Sequence, residues 1–385
     1  MPSPSQLLFS AVATTLVLGS GLAHGEPPAP LQDPALASAA ARTLGLATDA
    51  LTVEALADLT ELDATGAGVR TLAGLEHATH LTHLRLGNNH IHDLAPLAAL
   101  TDLQQLVLDA NPVRSLTGLE GLHKLRVFHA IDTPLADIDA VSGWSSLVGI
   151  TLTGGDFDSL QPLADKPTLR AVWVPDNSLR DVSALRTLPQ LKVLVLGANP
   201  IQSLAPVSGL TALVDLALFD LNITDIRFLA PLVALERLNL RHNAIVDLAP
   251  LSQARTLKWL DLTDNDIKNV NPLIPLMGLE RLLIARNDLA TLDPLTGHRA
   301  LRWLRADANR LTSITALAGM PSLRLASVTN NEIADAAWPE TAQVIAAVRE
   351  RGGEISVAPQ TAPSVYQAPS GVVAGQDPDA KGPAP

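Results

Sequence analysis

Five histidines, His77, His80, His83, His90 and His92, crowd one stretch of this chain. Imidazoles in such number could hold zinc or nickel, but their spacing matches no metal site well. Asp261, Asp264 and Asp266 flank Asn265 and faintly suggest a calcium loop, although a solvated turn accounts for them more simply. His129 and His242 have no nucleophile beside them that would make a catalytic pair. The chain has no cysteine, which removes disulfides, thiolate nucleophiles and cysteine-ligated zinc. It has no glycine-rich phosphate loop and no nucleophile elbow. The expectation is therefore a protein that is not an enzyme, with no catalytic residues, no metal and no cofactor. A different chemistry is better represented. Arg237, Trp259, Arg281 and Trp303 follow one another at intervals of 22 residues, so guanidinium alternates with indole. Such groups stack as cation–π pairs and are enriched where proteins recognise partners.

The element that positions them is a repeat. Leucine recurs every 22 residues from Leu59 to Leu323 without an insertion or deletion. Columns starting at Leu62, Ala64, Val69 and Leu72 are apolar in every copy. A fixed period of this length is the mark of a solenoid, in which each coil buries its apolar side against its neighbours and cannot stand alone. Two apolar residues spaced by two, such as Leu238 and Leu240, give a short strand with both side chains inward. Arg237, Asn239 and Arg241 then face outward. A column of asparagine follows, present at Asn89, Asn111, Asn177, Asn199, Asn243, Asn265, Asn287, Asn309 and Asn331. A carboxamide can serve both the N–H and the C=O groups that a buried turn strands. Ala67, Thr133, Gly155 and Leu221 interrupt this ladder, and water or a changed turn must compensate there. A further column, from Thr71 through Asp93 to Asp335, holds only residues that cap helices. Proline follows it in several copies, which predicts short 3₁₀ turns on the outer side.

The ends of the array differ from it. Residues 1–25 read as a signal peptide, with an apolar run over Leu7–Leu22 and small residues suited to cleavage, although no Lys or Arg precedes the run. Residues 26–33 are proline-rich and read as a linker. Residues 34–58 read as an N-terminal helical cap, with Asp33 and Thr52 as N-caps. Residues 59–335 carry the repeats, 336–357 a C-terminal cap and 358–385 a proline-rich tail expected to be disordered. After signal cleavage no apolar stretch is long enough to span a bilayer. These features predict a secreted or periplasmic protein. The net charge of −12 argues against a nucleic-acid partner.

The repeat resembles the 22-residue leucine-rich repeat of the bacterial internalin group, over residues 59–335 and the cap before them. That resemblance implies an α/β solenoid of about 13 repeats, right-handed and curved. It implies a parallel β-sheet on the concave face, short 3₁₀ turns on the convex face and helical caps at both ends. In that group the concave face binds another protein. The immunoglobulin-like domain that often follows the repeats has no counterpart in this sequence, nor does a surface-anchoring signal, so adhesion to host cells is not implied.

The expected partner is a protein or peptide on the concave face of a monomer. The residues expected to contact it are Trp173, Phe219, Arg237, Arg241, Trp259, Arg281, Trp303 and Arg305. Trp173, Trp259 and Trp303 are three of only five tryptophans in the chain, and all three fall at outward strand positions. The other candidate role is a structural or envelope-associated component that contacts cell-wall glycan through its exposed indoles.

Overall fold

The computed structural model describes residues 30–334, 338–358 and 360. The chain winds into a curved solenoid whose strands form one parallel sheet of fourteen, in strict sequence order. They run from β1 (Glu61–Asp63) to β14 (Glu354–Ser356). Each of the first twelve pairs with the next at a separation of 22 residues, as Arg237, Trp259, Arg281 and Trp303 do, and the thirteenth pairs with β14 at a separation of 29, Leu325 with Glu354. The period read from the sequence is thus the register of the sheet through β13, and the fourteenth strand comes from the C-terminal cap, in the stretch 354–357 that the sequence offers as a last strand. The sheet lines the concave side, and 3₁₀ turns such as Ala95–Ala99 and Ser183–Thr187 line the convex side.

The middle residue of each strand points into a continuous aliphatic core. Leu84, Leu106, Leu194, Leu238, Leu260, Leu282 and Leu304 have essentially no exposure. No coil owns its core: each leucine packs against those one coil before and after, which is why the array holds only as an array.

Two polar columns close the coils. Along the asparagine ladder each Nδ2 donates to carbonyls of its own turn and of the coil before. Each Oδ1 accepts a backbone N–H from the coil before. Asn199 donates to Val174, Leu196 and Gly197 oxygens and accepts from the Leu179 N–H. Thr133, at a ladder gap, fills in with its hydroxyl, which donates to the oxygens of Leu108 and Ile131. At Gly155 and Leu221 the backbone N–H donates to the asparagine of the next coil.

The convex turns open differently from the expectation. Asp93, Asp181, Asp225 and Asp247 each accept the N–H two residues ahead, at 2.8–2.9 Å. The formal N-cap is the following apolar residue, Leu94 in the first of these, and it makes no side-chain bond. The polar column therefore forms a side-chain turn one position earlier than a standard cap, which leaves the apolar residue free to point inward.

One column was not foreseen. The residue before each ladder position holds a left-handed backbone, with φ from 51° at Ala110 to 74° at Gly154. Ala110, Ala198 and Ala308 have no side-chain compensation for a conformation that disfavours a Cβ.

The caps differ from bare repeats in how they are tied on. Helix α1 (Pro34–Leu44) buries Leu36, Ala37, Ala39, Ala40 and Ala41 and ends at Gly45, whose φ is 69°. Asp33 caps it through Oδ1, taking the N–H groups of Ala35 and Leu36. Its other oxygen takes those of Arg70 and Thr71 in the first coil. Burial pushes this carboxyl up, but the four N–H bonds together hold it below the ordinary range. Residues 30–33, read from their prolines as linker, are therefore packed, with Leu31 2% exposed and the Gln32 N–H donated to the Ala73 oxygen. Helix α2 (Val53–Leu56) is capped by Thr52. At the other end α3 (Trp338–Glu350) packs on the last turn, and Gly352 and Gly353 lead into β14. Gln360, in the stretch read as tail, accepts the Asn331 N–H and so continues the ladder. The stretch read as signal peptide, residues 1–25, lies outside the described residues, as does the tail beyond residue 360.

Candidate concave binding face

Every predicted contact residue sits on the solvent side of the sheet. Trp173 closes β6 (Ala171–Trp173). Arg237, Trp259, Arg281 and Trp303 open β9 (Arg237–Asn239), β10 (Trp259–Asp261), β11 (Arg281–Leu283) and β12 (Trp303–Arg305), and Arg305 closes the last of these. Phe219 and Arg241 follow the strands as the third outward position of their coils. The four aromatic side chains are half-buried, and Arg237 and Arg305 are exposed. The face extends roughly 60 Å if strands lie ~4.8 Å apart.

The structure joins these residues into pairs. The Arg237 guanidinium lies 5.2 Å from the Trp259 ring centre, and Arg281 lies 3.4 Å from that of Trp303. Arg241 stacks on Phe219 at 5.1 Å, a pair whose 22-residue separation was visible in the sequence but was not drawn from it. Phe219 has room because its neighbour in the preceding coil is Gly197. A Cβ there would lie 2.5 Å from the ring. Arg237 also reaches Asp215, at 3.3 Å.

Three carboxylates on this face, none of them among the predicted contacts, are built into the scaffold. Burial pushes the Asp215 carboxyl above its ordinary range, and Arg237 only partly opposes this. Asp261 is raised for the same reason, against the Thr263 hydrogen bonds and the charges of Arg241 and His242. Asp307 is also buried, but bonds from Ser327, Thr329 and Arg305 outweigh burial and hold it low. Its Oδ1 accepts the Thr329 N–H at 2.9 Å and its Oδ2 the Arg305 Nε–H at 3.0 Å, which fixes where Arg305 can point.

The remaining chemistry disperses. His80 and His83 bond locally, to the Ala57 oxygen and the Thr82 hydroxyl. His129 is driven down by burial, with Asp109 opposing. His242 lies between Asp220, at 3.1 Å, and Asp264, at 3.4 Å. Asp264 also faces Arg286 at 3.8 Å, while Asp261 is buried, so the three aspartates around Asn265 do not converge. Among the described residues no group of three or more His, Asp or Glu is placed to hold a metal ion. An open cleft lined by Asp137, Phe157, Asp158 and Pro162 lies on the convex side, away from the aromatic face. Sequence reading missed two buried basic groups in an otherwise apolar column. Lys166 donates to the Ser142 and Trp144 oxygens, and His298 lies against those of Leu295 and Leu273. Their 22-residue spacing from Trp144 and Met320 was the available signal.

Residues 79–121 match the family model for leucine-rich repeats in two copies. No curated protein matches the sequence. Among solved structures an internalin from Listeria monocytogenes is 26% identical, with 87% of this chain and 99% of that chain covered and a TM-score of 0.80. A leucine-rich repeat protein of Leptospira interrogans shares the fold at 19% identity, covering 79% of this chain and 97% of that one, with a TM-score of 0.59. A plant peptide hormone receptor in complex with RGF2 shares it at 16% identity, covering 67% and 53%, with a TM-score of 0.51. Among the described residues no helix is long and apolar enough to cross a membrane. With its 22-residue coils in register, its inner parallel sheet and these likenesses, the chain folds as an internalin-like leucine-rich repeat solenoid.

Proposed function

We propose that this protein is a non-enzymatic binding module, secreted or periplasmic, that takes a protein or peptide on its concave sheet as a monomer. What supports this reading is one observation. Arginines stack on Trp259, Trp303 and Phe219 on the solvent side of the sheet, where neither the core nor the ladder needs them. Large planar side chains held half-buried by a neighbour lose little freedom when a partner covers them. The plant receptor in complex with RGF2 illustrates a repeat array of this fold with a partner.

The alternative, an envelope component stacking cell-wall sugars on its indoles, is less well supported. Guanidinium groups already lie over the Trp259 and Trp303 rings, and a sugar on those faces would have to displace them.

The test is capture from an envelope extract by the full chain and by Trp259→Ala/Trp303→Ala. The reading expects a discrete protein band that the double variant loses while its circular dichroism stays unchanged. A band bound equally well by the double variant would refute the site, and retention on cell-wall material alone would favour the alternative.

A further inference from the structure

We propose that the partner presents a carboxylate-rich segment to coils β9–β12, with a neutral apolar portion continuing over Trp173 and Val193. This rests on the reading that the concave sheet is the binding face, and it adds the chemistry of what binds.

Charge is the first argument. The chain as a whole carries −12. The outward positions of β9–β12 and of the residues just after them run from Arg237 to Asp307. They hold four arginines, at 237, 241, 281 and 305, against two aspartates, at 261 and 307, with Asp215 of the preceding strand 3.3 Å from Arg237. Both aspartates are buried, at 7% and 9% exposure, while the Arg237 and Arg305 side chains are 51% and 59% exposed. What this strip offers to solvent is therefore positive. Its borders are balanced: Glu236 pairs with Lys258 at 2.8 Å on one side, and Asp264 faces His242 and Arg286 on the other. An acidic protein with a cationic strip steers acidic groups toward that strip.

Geometry is the second argument. A guanidinium stacked on an aromatic ring is held flat, with its N–H edge directed away from the ring. That edge matches a carboxylate bidentately, and the ring has already removed much of the side chain's freedom. Arg237, Arg241 and Arg281 lie over aromatic rings at 5.2, 5.1 and 3.4 Å from the ring centres, and Arg305 is oriented by Asp307. A solvating arginine needs neither device.

Beyond β8 (Asp215–Ala217), whose Asp215 is paired with Arg237 at 3.3 Å, the preceding coils supply the other half. Strands β5 (Gly149–Leu152), β6 and β7 (Val193–Val195) present Gly149, Thr151, Ala171, Trp173 and Val193 outward, with no charge among them, while Val195 is buried. From β6 to β11 is roughly 24 Å at ~4.8 Å per strand, which an extended peptide spans with about seven residues.

The experiment is selection of a phage-displayed random peptide library, about twelve residues long, on the immobilised full chain. The recovered pool should be enriched in Asp and Glu over the unselected library. Its retention should fall about tenfold or more when salt rises from about 0.1 to about 0.5 M. Arg241→Gln/Arg281→Gln should lower retention by about tenfold or more, since each lost charge-assisted pair counts for about that factor. Arg281→Gln/Arg305→Gln is the second variant, for the event that Arg241 is needed for folding, and circular dichroism monitors both. A pool neutral or basic in composition, or one indifferent to both arginine variants, overturns the proposal. If such a pool is still lost with Trp173→Ala/Trp303→Ala, the concave face stands and only its acidic preference falls. No enrichment at all, or a pool indifferent to every one of these variants, overturns both.

Discussion

The asparagine ladder makes a quantitative prediction because its members are not equally redundant. In Asn199→Ala the Val174 oxygen still receives the Asn177 side chain, and the Gly197 oxygen still receives the Asp176 N–H. The Leu179 N–H and the Leu196 oxygen lose their only partners among the described residues. Leu196 is exposed to this loss because Leu221 stands where the next asparagine would donate to it. In Asn309→Ala, by contrast, Asn287 keeps the Ile284 oxygen and Asn331 keeps the Ala306 oxygen. Only the Leu289 N–H is orphaned. At about 1–3 kcal/mol per stranded buried group, Asn199→Ala costs about 2–6 kcal/mol and Asn309→Ala about 1–3 kcal/mol. Asn199→Thr brings no relief, because a hydroxyl placed like that of Thr133 reaches the two carbonyls that are already served. The assay is urea unfolding of the full chain followed by circular dichroism and tryptophan fluorescence. Hydrogen exchange at the Leu179 amide should accelerate in Asn199→Ala alone. Equal losses for the two alanine variants, or a smaller loss at Asn199, would refute this account of the ladder.

Three further outcomes follow from the same structure. Asp33→Asn should weaken the attachment of the N-terminal cap at neutral pH. Because the folded-state pKa of Asp33 is depressed, its contribution is present above the unfolded value of about 3.9 and fades as pH falls through the folded one, so wild type and variant should converge in acid. Lys166→Met should abolish an alkaline pH dependence of stability, since it removes a buried cation whose pKa burial depresses. Wild type alone should gain stability as pH climbs from the folded pKa toward about 10.4, where the unfolded chain holds the extra proton, and unfolding at a series of alkaline pH values checks it. Ala110→Gly, Ala198→Gly and Ala308→Gly should each raise the thermal midpoint, by relieving up to about 1 kcal/mol of left-handed strain; a lower midpoint would mean that the gain in unfolded-chain entropy outweighs it.

Much of this molecule is written in its sequence. A solenoid coil touches only the coil before and the coil after, so whatever one neighbour requires of the other recurs at a fixed distance along the chain. That is why the inward leucines, the asparagine ladder, the short convex turns and the outward places of Trp173, Trp259 and Trp303 could be read as columns. The capping helices were legible for another local reason: Asp33 and Thr52 stand just before helix-forming runs.

The tertiary structure alone decided what depends on side-chain direction or on packing across long separations. Asp33 binds the N–H groups of Arg70 and Thr71, so a stretch that reads as linker is a clasp. Spacing allowed stacking between successive coils, but only rotamers chosen against the neighbouring coil place each guanidinium over a particular ring. The aspartates on the same face look like free charge in the sequence, yet the sheet's curvature and adjacent side chains bury Asp261 and Asp307 and leave the arginines exposed. Periodicity records which residues are neighbours; the free energy of closing them against one another determines which of their atoms remain for a partner to find.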